Sequence, residues 1–162
     1  MTEFATLDTS MGTFGIRTSS VGVFRVHLPN DPQDSEWETP LAEQSSLLKQ
    51  AMEELEQYFN GQRKSFDMAL ALDLHLPPFY QKILMEVSKI PFGTTVSYRD
   101  VAVKAGNPKA VRAAGTANAK NPVPIFIPCH RVLSSDGTLG GYGGGLDLKK
   151  RLLLHECLTI KS

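Results

Sequence analysis

The chain has 162 residues, of which 41% are hydrophobic. That is enough apolar material for a folded core, and no apolar run is long enough to span a bilayer. The amino terminus reads Met1-Thr2-Glu3-Phe4, with an acid where a signal peptide needs positive charge, so we expect an intracellular protein. The two cysteines, Cys129 and Cys157, are too few for a disulfide framework or a four-cysteine zinc site.

Charge is divided unequally between the two halves of this formally neutral chain. Residues 1–76 hold five Lys/Arg and twelve Asp/Glu, a net charge of −7, whereas residues 77–162 hold twelve and five, a net charge of +7. The second half therefore has the charge of a surface that meets a polyanion such as nucleic acid. Charge alone is equally compatible with uneven surfaces that only aid solubility.

Three short runs with strand propensity open the chain, and turn formers separate them. They are residues 4–7, 13–17 and 21–28. These runs predict a small antiparallel sheet. Residues 29–40 are rich in Pro, Asp, Asn and Glu and predict a loop, and residues 65–74 predict a further strand.

A helix is predicted between the loop and that last strand. Thr39 is a suitable N-cap and Pro40 suits the first helical position. Asn60-Gly61 is a typical helix end. The apolar positions that would share one face are Leu41, Leu48, Met52, Leu55 and Phe59.

The adjacent prolines Pro77-Pro78 break the pattern where the charge balance changes sign. We therefore predict two lobes, residues 1–76 and residues 77–162. The second lobe begins with a helix that ends at Pro91. Its apolar positions Phe79, Ile83, Val87 and Ile90 lie on one face.

Two short helices follow and form a helix-turn-helix in outline. Ser97 and Asp100 predict a capping box for the first, over residues 98–105, and Gly106 closes it. Asn107-Pro108 predicts the cap and first position of the second.

The second short helix carries mostly small side chains, so only Lys109, Arg112 and Asn118 could read base edges. Such a smooth helix suits close approach to the backbone and minor groove of a duplex. Residues 97–121 hold five Lys/Arg against one Asp, which favours phosphate contact.

A strand-like apolar run from Asn121 ends in Pro128-Cys129-His130-Arg131-Val132. The other segments that carry the pattern are Ile90-Pro91-Phe92-Gly93, Ser97-Tyr98, Asn107-Pro108 and Gly141-Tyr142-Gly143-Gly144-Gly145. Together they resemble the O6-alkylguanine-DNA alkyltransferases over essentially the whole chain. The resemblance implies a small α/β lobe with an antiparallel, ribonuclease H-like sheet, and a mainly helical lobe with a winged helix-turn-helix-like DNA-binding motif.

The activity that this resemblance implies is the irreversible, stoichiometric transfer of an alkyl group from O6-alkylguanine, and from O4-alkylthymine, in double-stranded DNA to Cys129. A thiolate is a natural nucleophile for saturated carbon, but an ordinary thiol has a pKa of about 8.5 and needs a base. His130 is adjacent, yet neighbours on a strand point to opposite faces, so pairing requires a sharp bend or a bridging water. The resemblance favours the water, with Glu156 orienting the imidazole and Asn121 bracing the turn.

Each of these residues also has a purely structural interpretation. Cys129 could be a small buried hydrophobe, His130 a satisfied core histidine and Glu156 a solvated carboxylate at a helix end. Cys157 is expected to be a structural thiol. Lys149-Lys150-Arg151 is expected to be a solvated helix face.

Extrusion of the damaged nucleotide is needed because the target atom lies inside a stacked duplex. By resemblance, Arg112 enters the base stack and Tyr98 crowds the phosphate and hydrogen-bonds the extruded base. The alternatives are a phosphate contact for Arg112 and a packing role for Tyr98. Lys109 and Lys104 are further predicted DNA contacts.

The glycine-rich run could be only a flexible hairpin. By resemblance it closes the alkyl pocket, with Tyr142 beside the alkyl group and the Gly143 amide near the guanine oxygen. Many relatives have serine at the position of Gly143. Pro124 and the carbonyls of Cys129 and Val132 would complete the guanine site.

No cofactor and no metal are expected, since the protein supplies both nucleophile and acceptor and the first lobe has no cysteine. We expect a cytoplasmic monomer, associated with the nucleoid in a bacterium or nuclear in a eukaryote, with side-by-side binding on DNA as an option. The rival functions are a damage-flagging DNA-binding protein, a thiol hydrolase and a transcription-activating sensor. The first lacks the cysteine in its known relatives, the basic helix-turn-helix disfavours the second, and the third needs an additional metal domain.

Overall fold

The computed structural model describes residues 2–31, 37–72 and 75–156. The chain divides into two compact units, Met1–Asp73 and Leu74–Ser162. None of the helices in the described ranges is both long and apolar enough to cross a membrane.

The first unit is built on a three-stranded antiparallel sheet in the order β1-β2-β3. Its strands are β1 (Glu3–Thr9), β2 (Gly12–Thr18) and β3 (Val23–His27). Alternating side chains of the sheet are buried, among them Phe14 and Ile16, as expected for a sheet with one covered face. The predicted sheet is confirmed, although β3 begins only at Val23, because residues 19–22 form the turn before it, in which the Ser19 amide donates to the Gly22 carbonyl at 2.9 Å.

Helix α1 (Ser46–Phe59) packs on β1 and β2, with Leu48, Leu55 and Tyr58 fully buried. The predicted start at Thr39 and Pro40 is wrong. Thr39 pairs with β1 instead, since its amide donates to the Phe4 carbonyl and its hydroxyl accepts from the Phe4 amide. A short 3-10 turn, Leu41–Glu43, follows, and the N-cap is Ser45, whose hydroxyl accepts from the Leu48 amide.

The predicted strand over residues 65–74 is also wrong within the described part, and residues 73 and 74 lie outside it. Only Leu70 forms a single parallel bridge, with Val23. Glu54 of α1 takes the backbone amides of Asp67 and Met68, so these donors are not available to a ladder. Gly22 allows the close backbone approach, because a Cβ there would lie 2.5 Å from the Ala69 carbonyl oxygen.

The second unit is mainly helical and holds a two-stranded parallel pair. Its elements are α2 (Pro78–Ser88), β4 (Val96–Ser97), α3 (Tyr98–Lys104), α4 (Val111–Ala119), β5 (Val132–Leu133) and α5 (Leu146–His155). Helices α2, α3 and α4 pack on one another. Their small and aliphatic side chains, such as Val87, Ala102 and Ala117, are fully buried and let the helices approach closely.

The capping box of α3 is confirmed in both directions. The Ser97 hydroxyl accepts from the Asp100 amide, and the Asp100 carboxylate accepts from the Ser97 amide, each at 3.0 Å. The predicted start of the next helix at Asn107-Pro108 is wrong. The Ala110 amide donates to the Asn107 carbonyl in a turn, and α4 begins at Val111.

Candidate active site

The turn before the thiol is held by one amide side chain. Asn121 Nδ2 donates to the Ile127 carbonyl at 2.8 Å, and its Oδ1 accepts from the Val123 amide at 3.0 Å. Pro128 then adopts φ −79° and ψ 65°, and the Cys129 amide donates to the Ile127 carbonyl at 2.8 Å, which is an inverse γ-turn. The chain therefore bends sharply at residue 128 and does not reach the thiol as a strand.

Backbone strain is concentrated in the same turn. Ile125 has φ 75°, a left-handed conformation that is rare for a β-branched residue, and its side chain is buried. The Ile127 amide donates to the Val123 carbonyl at 2.9 Å and closes the turn around it. Pro124, predicted to border the base, is buried in this turn. Such strain persists only where the surroundings determine the conformation, and it is common at functional sites.

Cys129 and His130 lie in a single 3-10 turn, Cys129–Arg131, and both are buried. His130 Nε2 is 2.7 Å from Glu156 Oε2. Because a carboxylate only accepts hydrogen bonds, this contact fixes the proton on Nε2 and leaves the lone pair on Nδ1. His130 Nδ1 is buried and has no hydrogen-bond partner among residues 2–31, 37–72 and 75–156.

Glu156 is the C-cap of α5 and is buried, not solvated. Its Oε1 accepts from the Gly93 amide at 3.2 Å and from Arg131 Nε at 2.8 Å, while Oε2 also accepts from Arg131 Nη2 at 3.0 Å. Arg131 Nη1 donates to the Ile90 carbonyl at 2.6 Å. The sequence analysis missed the role of Arg131, although it lies inside the motif around the thiol.

Burial dominates the acid–base properties of the reactive pair. It raises the pKa of the Cys129 thiol, against a hydrogen bond from Asn121 and the positive charge of Lys149, which lower it. Burial also lowers the pKa of His130, while Glu156 raises it. At neutral pH the site therefore holds a protonated thiol and a neutral imidazole, an acid and a base in adjacent residues.

Lys149 contradicts the expectation of a solvated helix face. Its side chain is fully buried, and Nζ donates to the carbonyls of Val132, Leu139 and Gly141 at 2.8, 2.5 and 3.1 Å. Burial lowers the pKa of Lys149 to about 8. Lys150 and Arg151 are exposed as expected, so the error came from treating the three cations as one face. The ammonium ties the glycine-rich segment to β5.

Tyr98 begins α3 beside that segment and is half-buried. Its hydroxyl donates to the Gly141 carbonyl at a long 3.5 Å. Gly140 has φ +69°, a conformation that favours glycine, and the space is tight, because a Cβ there would lie 3.2 Å from the Tyr98 ring. Tyr142 is half-buried, and its side chain contributes to lowering the pKa of Cys129 against the effect of burial. The predicted pocket residues Tyr98 and Tyr142 thus lie close to the thiol segment, while Gly143 is exposed.

Val132 is buried at the start of β5, and its carbonyl already accepts from Lys149. A carbonyl oxygen has two lone pairs, so one remains for the predicted base contact. Asn118, one of the three side chains of its helix region that could have read base edges, is buried instead, and its Nδ2 donates to the Cys129 carbonyl at 3.1 Å.

The predicted DNA contacts are surface residues. Arg112 is exposed in the first turn of α4, and Lys109 is exposed in the turn before it. Lys104, the last residue of α3, lies with Lys82 and Lys89 along a groove between α2 and α3. None of the contacts described for these residues joins them to the thiol.

In the described part of the chain, no three His, Cys, Asp or Glu side chains are grouped as metal ligands. Cys157, expected to be a structural thiol, lies outside the described residues.

Comparison with known proteins agrees with this site. The family models "6-O-methylguanine DNA methyltransferase, ribonuclease-like domain" and "6-O-methylguanine DNA methyltransferase, DNA binding domain" match residues 4–74 and 78–158. The constitutive methylated-DNA–protein-cysteine methyltransferase of Bacillus subtilis is 35% identical over 99% of each chain. That of Methanosarcina barkeri is 41% identical over 83% of this chain and 78% of its own.

Among solved structures, the Mycobacterium tuberculosis OGT in complex with DNA matches with a TM-score of 0.84 and 32% identity, over 95% of this chain and 92% of that one. The fold and the thiol turn define a cysteine-bearing α/β protein with a helical DNA-binding domain. The chain belongs to the 6-O-methylguanine DNA methyltransferase family. The family and the fold class predicted from the sequence are confirmed.

Proposed function

We propose that this chain repairs DNA by moving a methyl or other alkyl group from O6-alkylguanine in a duplex to Sγ of its own Cys129. The observation that carries the proposal is which ring nitrogen of His130 carries the proton and which one carries the free lone pair. Glu156 holds its Nε2 at 2.7 Å, so the free lone pair lies on the buried Nδ1, next in the chain to a thiol that burial keeps protonated. This is the arrangement of a base poised to deprotonate a nucleophile.

The reaction balances with the groups present. His130 accepts the thiol proton, directly or through one water, and the Glu156 carboxylate, which Arg131 holds in place, stabilises the imidazolium that forms. The sulfur then bonds to the alkyl carbon as the bond from that carbon to O6 breaks. The base leaves with the electron pair and takes up one proton, which gives guanine and a thioether at Cys129. Because no described group can remove a thioether alkyl, each molecule reacts once.

The turn and loop around the thiol supply positioning. Asn121 braces the turn, and the Lys149 tether holds the glycine-rich segment that carries Tyr142 and Gly143. Arg112 and Tyr98 are proposed to extrude the nucleotide through the minor groove, with Lys109 and Lys104 on phosphates. The exposed cations on and before α4, and the place of Tyr98 at the start of α3 beside the glycine-rich segment, support these roles.

For the chain as a whole, we propose that residues 1–76 form the α/β lobe and that residues 77–162 bind DNA and hold the reactive thiol. O4-alkylthymine is a secondary substrate. The protein acts as an intracellular monomer without a cofactor, and side-by-side binding on DNA is compatible with this.

The decisive measurement is the mass of the intact chain after incubation with a duplex that contains one O6-methylguanine. We expect a gain of one methyl group, located on the Cys129 peptide, and no turnover beyond one equivalent. Cys129→Ser should gain nothing, while Cys157→Ser, the matched control, should react normally. Full binding with an unchanged mass would instead identify a damage-flagging protein, and repeated turnover a hydrolase.

A further inference from the structure

The groove between α2 and α3 has no part in the reaction scheme above. At one end it forms a notch of about 170 Å³, and at the other it widens to about 570 Å³. Glu86, Lys89 and Lys104 line both parts, so the two cavities adjoin. All the lining residues lie between positions 78 and 106, within the second unit, and neither the thiol turn nor α4 contributes to them.

The notch is apolar and has the size of one side chain. Ile90 and Val101 are buried beneath it, and Pro91 and Val96 line it as well. A cavity of roughly 150 Å³ with aliphatic walls holds a benzene ring, so this notch has room for one aromatic or branched aliphatic side chain. Met85, which is 53% exposed, continues the apolar surface into the wider part. Apolar surface with a polar rim is typical of protein–protein interaction sites.

The rim of the groove carries two cations without an ion-pair partner. The charged residues that line the groove are Lys82, Glu86, Lys89, Asp100 and Lys104. Glu86 pairs with Lys89 at 3.0 Å, and the Asp100 carboxylate accepts from the Ser97 amide in the capping box. Lys82 and Lys104 are exposed, and neither forms an ion pair within the described ranges. An acidic ligand would therefore meet two unpaired cations beside an apolar notch.

A peptide suits this groove better than duplex DNA does. The backbone of a duplex offers a regular row of phosphates, which the Glu86 carboxylate would repel, and it has no apolar side chain for the notch. A flexible acidic peptide can place separate carboxylates at Lys82 and Lys104 and still insert one apolar side chain. Peptide grooves commonly combine apolar anchors, which supply affinity, with charges on the rim, which supply specificity.

We propose that the groove between α2 and α3 is a docking site for an acidic segment of a partner protein. One aromatic or aliphatic side chain of that segment occupies the notch, and its carboxylates pair with Lys82 and Lys104. The docking site is independent of the transfer reaction, so each can be tested without the other. Because Lys104 is also proposed to contact phosphates, the test leaves it unchanged.

The first part of the test varies the ligand and leaves the protein unchanged. A fluorescent peptide in which aspartates flank a single phenylalanine is titrated with the full chain, and its anisotropy is measured. We expect saturable binding with a Kd below about 1 mM. Serine in place of the phenylalanine should weaken binding by about 10-fold to 150-fold, the value of burying one aromatic ring. Lysines in place of the aspartates should abolish it.

The second part varies exposed residues of the protein. Lys82→Glu should weaken binding of the acidic peptide by at least about threefold, because a repulsion replaces an attraction. Lys150→Glu is the matched control, since it makes the same charge change at an exposed position of α5 outside the groove, and it should bind as the wild type does. Thr94 is exposed and lines the notch, so Thr94→Trp should fill it and remove the advantage of phenylalanine over serine.

The possible failures are distinguishable. A Kd for the acidic peptide above about 1 mM, or an equal loss in Lys82→Glu and Lys150→Glu, would overturn the docking site. Weaker binding of undamaged duplex DNA by Lys82→Glu, with the peptide affinity unchanged, would assign the groove to nucleic acid instead. If Thr94→Trp does not fold, the serine peptide tests the notch. Methyl transfer by Lys82→Glu should keep the wild-type rate, and absence of transfer in the wild type would refute the proposed function alone.

Discussion

Among the residues that the structure describes, each unit of this protein buries one glutamate, and the two sites differ in the chemistry of their partners. Glu54 in α1 is 2% exposed and accepts from the amides of Asp67 and Met68 at 2.7 and 3.2 Å and from Gln50 at 2.7 Å. Arg63 approaches it at 3.8 Å. This carboxylate attaches the segment after α1 to the helix.

Glu156 in the second unit is equally buried, at 2%, and also accepts one backbone amide, that of Gly93. It also pairs with the guanidinium of Arg131 and the imidazole of His130. The imidazole can take up and release a proton, and its second nitrogen is unpaired in the described structure. Burial and hydrogen bonding of a carboxylate therefore do not by themselves indicate that it takes part in a reaction. A hydrogen bond to an imidazole whose other nitrogen is free does indicate it.

The largest expected effect follows from Glu156→Gln. The amide cannot compensate the buried Arg131 charge, so the free energy of unfolding should fall by about 3–5 kcal/mol. The imidazolium loses its carboxylate, so single-turnover methyl transfer should slow by about 10²-fold to 10⁴-fold. Urea unfolding and transfer kinetics, both at a temperature where the variant is folded, measure the two effects. Transfer at the wild-type rate would remove Glu156 from the mechanism.

Glu54→Gln is the matched change in the other unit, and we expect a smaller effect confined to stability. The amide oxygen can still accept from the backbone amides of Asp67 and Met68, but the NH2 group replaces the oxygen that accepts from Gln50, which should cost about 1–3 kcal/mol. The rate of methyl transfer should stay at the wild-type value, because no described contact of Glu54 involves a reactive residue. A slower transfer in this folded variant would show that the two carboxylates do not differ as described.

The features that the sequence predicted correctly depend on local chemistry. The Ser97 and Asp100 capping box needs only residues three apart, and the strands of the first unit follow from short runs and the turns between them. Errors arose where distant partners compete for the same groups. Thr39 pairs with β1 and so does not cap a helix, and Glu54 takes the amides that a strand at Asp67 would have used.

The site shows the same division. Cys129 and His130 follow from the motif, whereas Glu156, 26 positions after His130, entered only through family resemblance. Burial of Lys149 and Asn118 was not predicted, because each is bonded to carbonyls that only the folded turn and loop bring near. Exposed cations and buried ones have the same letters in a sequence. What distinguishes them is whether unpaired acceptors surround them, and that depends on the tertiary structure.

The smallest expected effect is a pH dependence that belongs to the second unit. Burial holds the pKa of His130 below 6.5, so between that lower value and 6.5 the unfolded chain binds a proton that the folded chain does not. The free energy of unfolding should therefore fall as pH decreases through 6.5 and level off below the folded pKa. His130→Gln keeps an amide N–H for Glu156 but does not titrate.

The difference between wild-type and His130→Gln unfolding free energies, measured in urea across this range, isolates the imidazole because the other groups titrate in both. Glu156 raises the pKa of His130, so in Glu156→Gln the folded pKa should fall further and the decline in stability should extend to lower pH. Glu54→Gln should leave the profile of the wild type unchanged. An identical slope in the wild type and His130→Gln would mean that folding does not lower the pKa of His130, and the imidazole would then lose the Nδ1 lone pair on acidification through 6.5 just as it does in the unfolded chain.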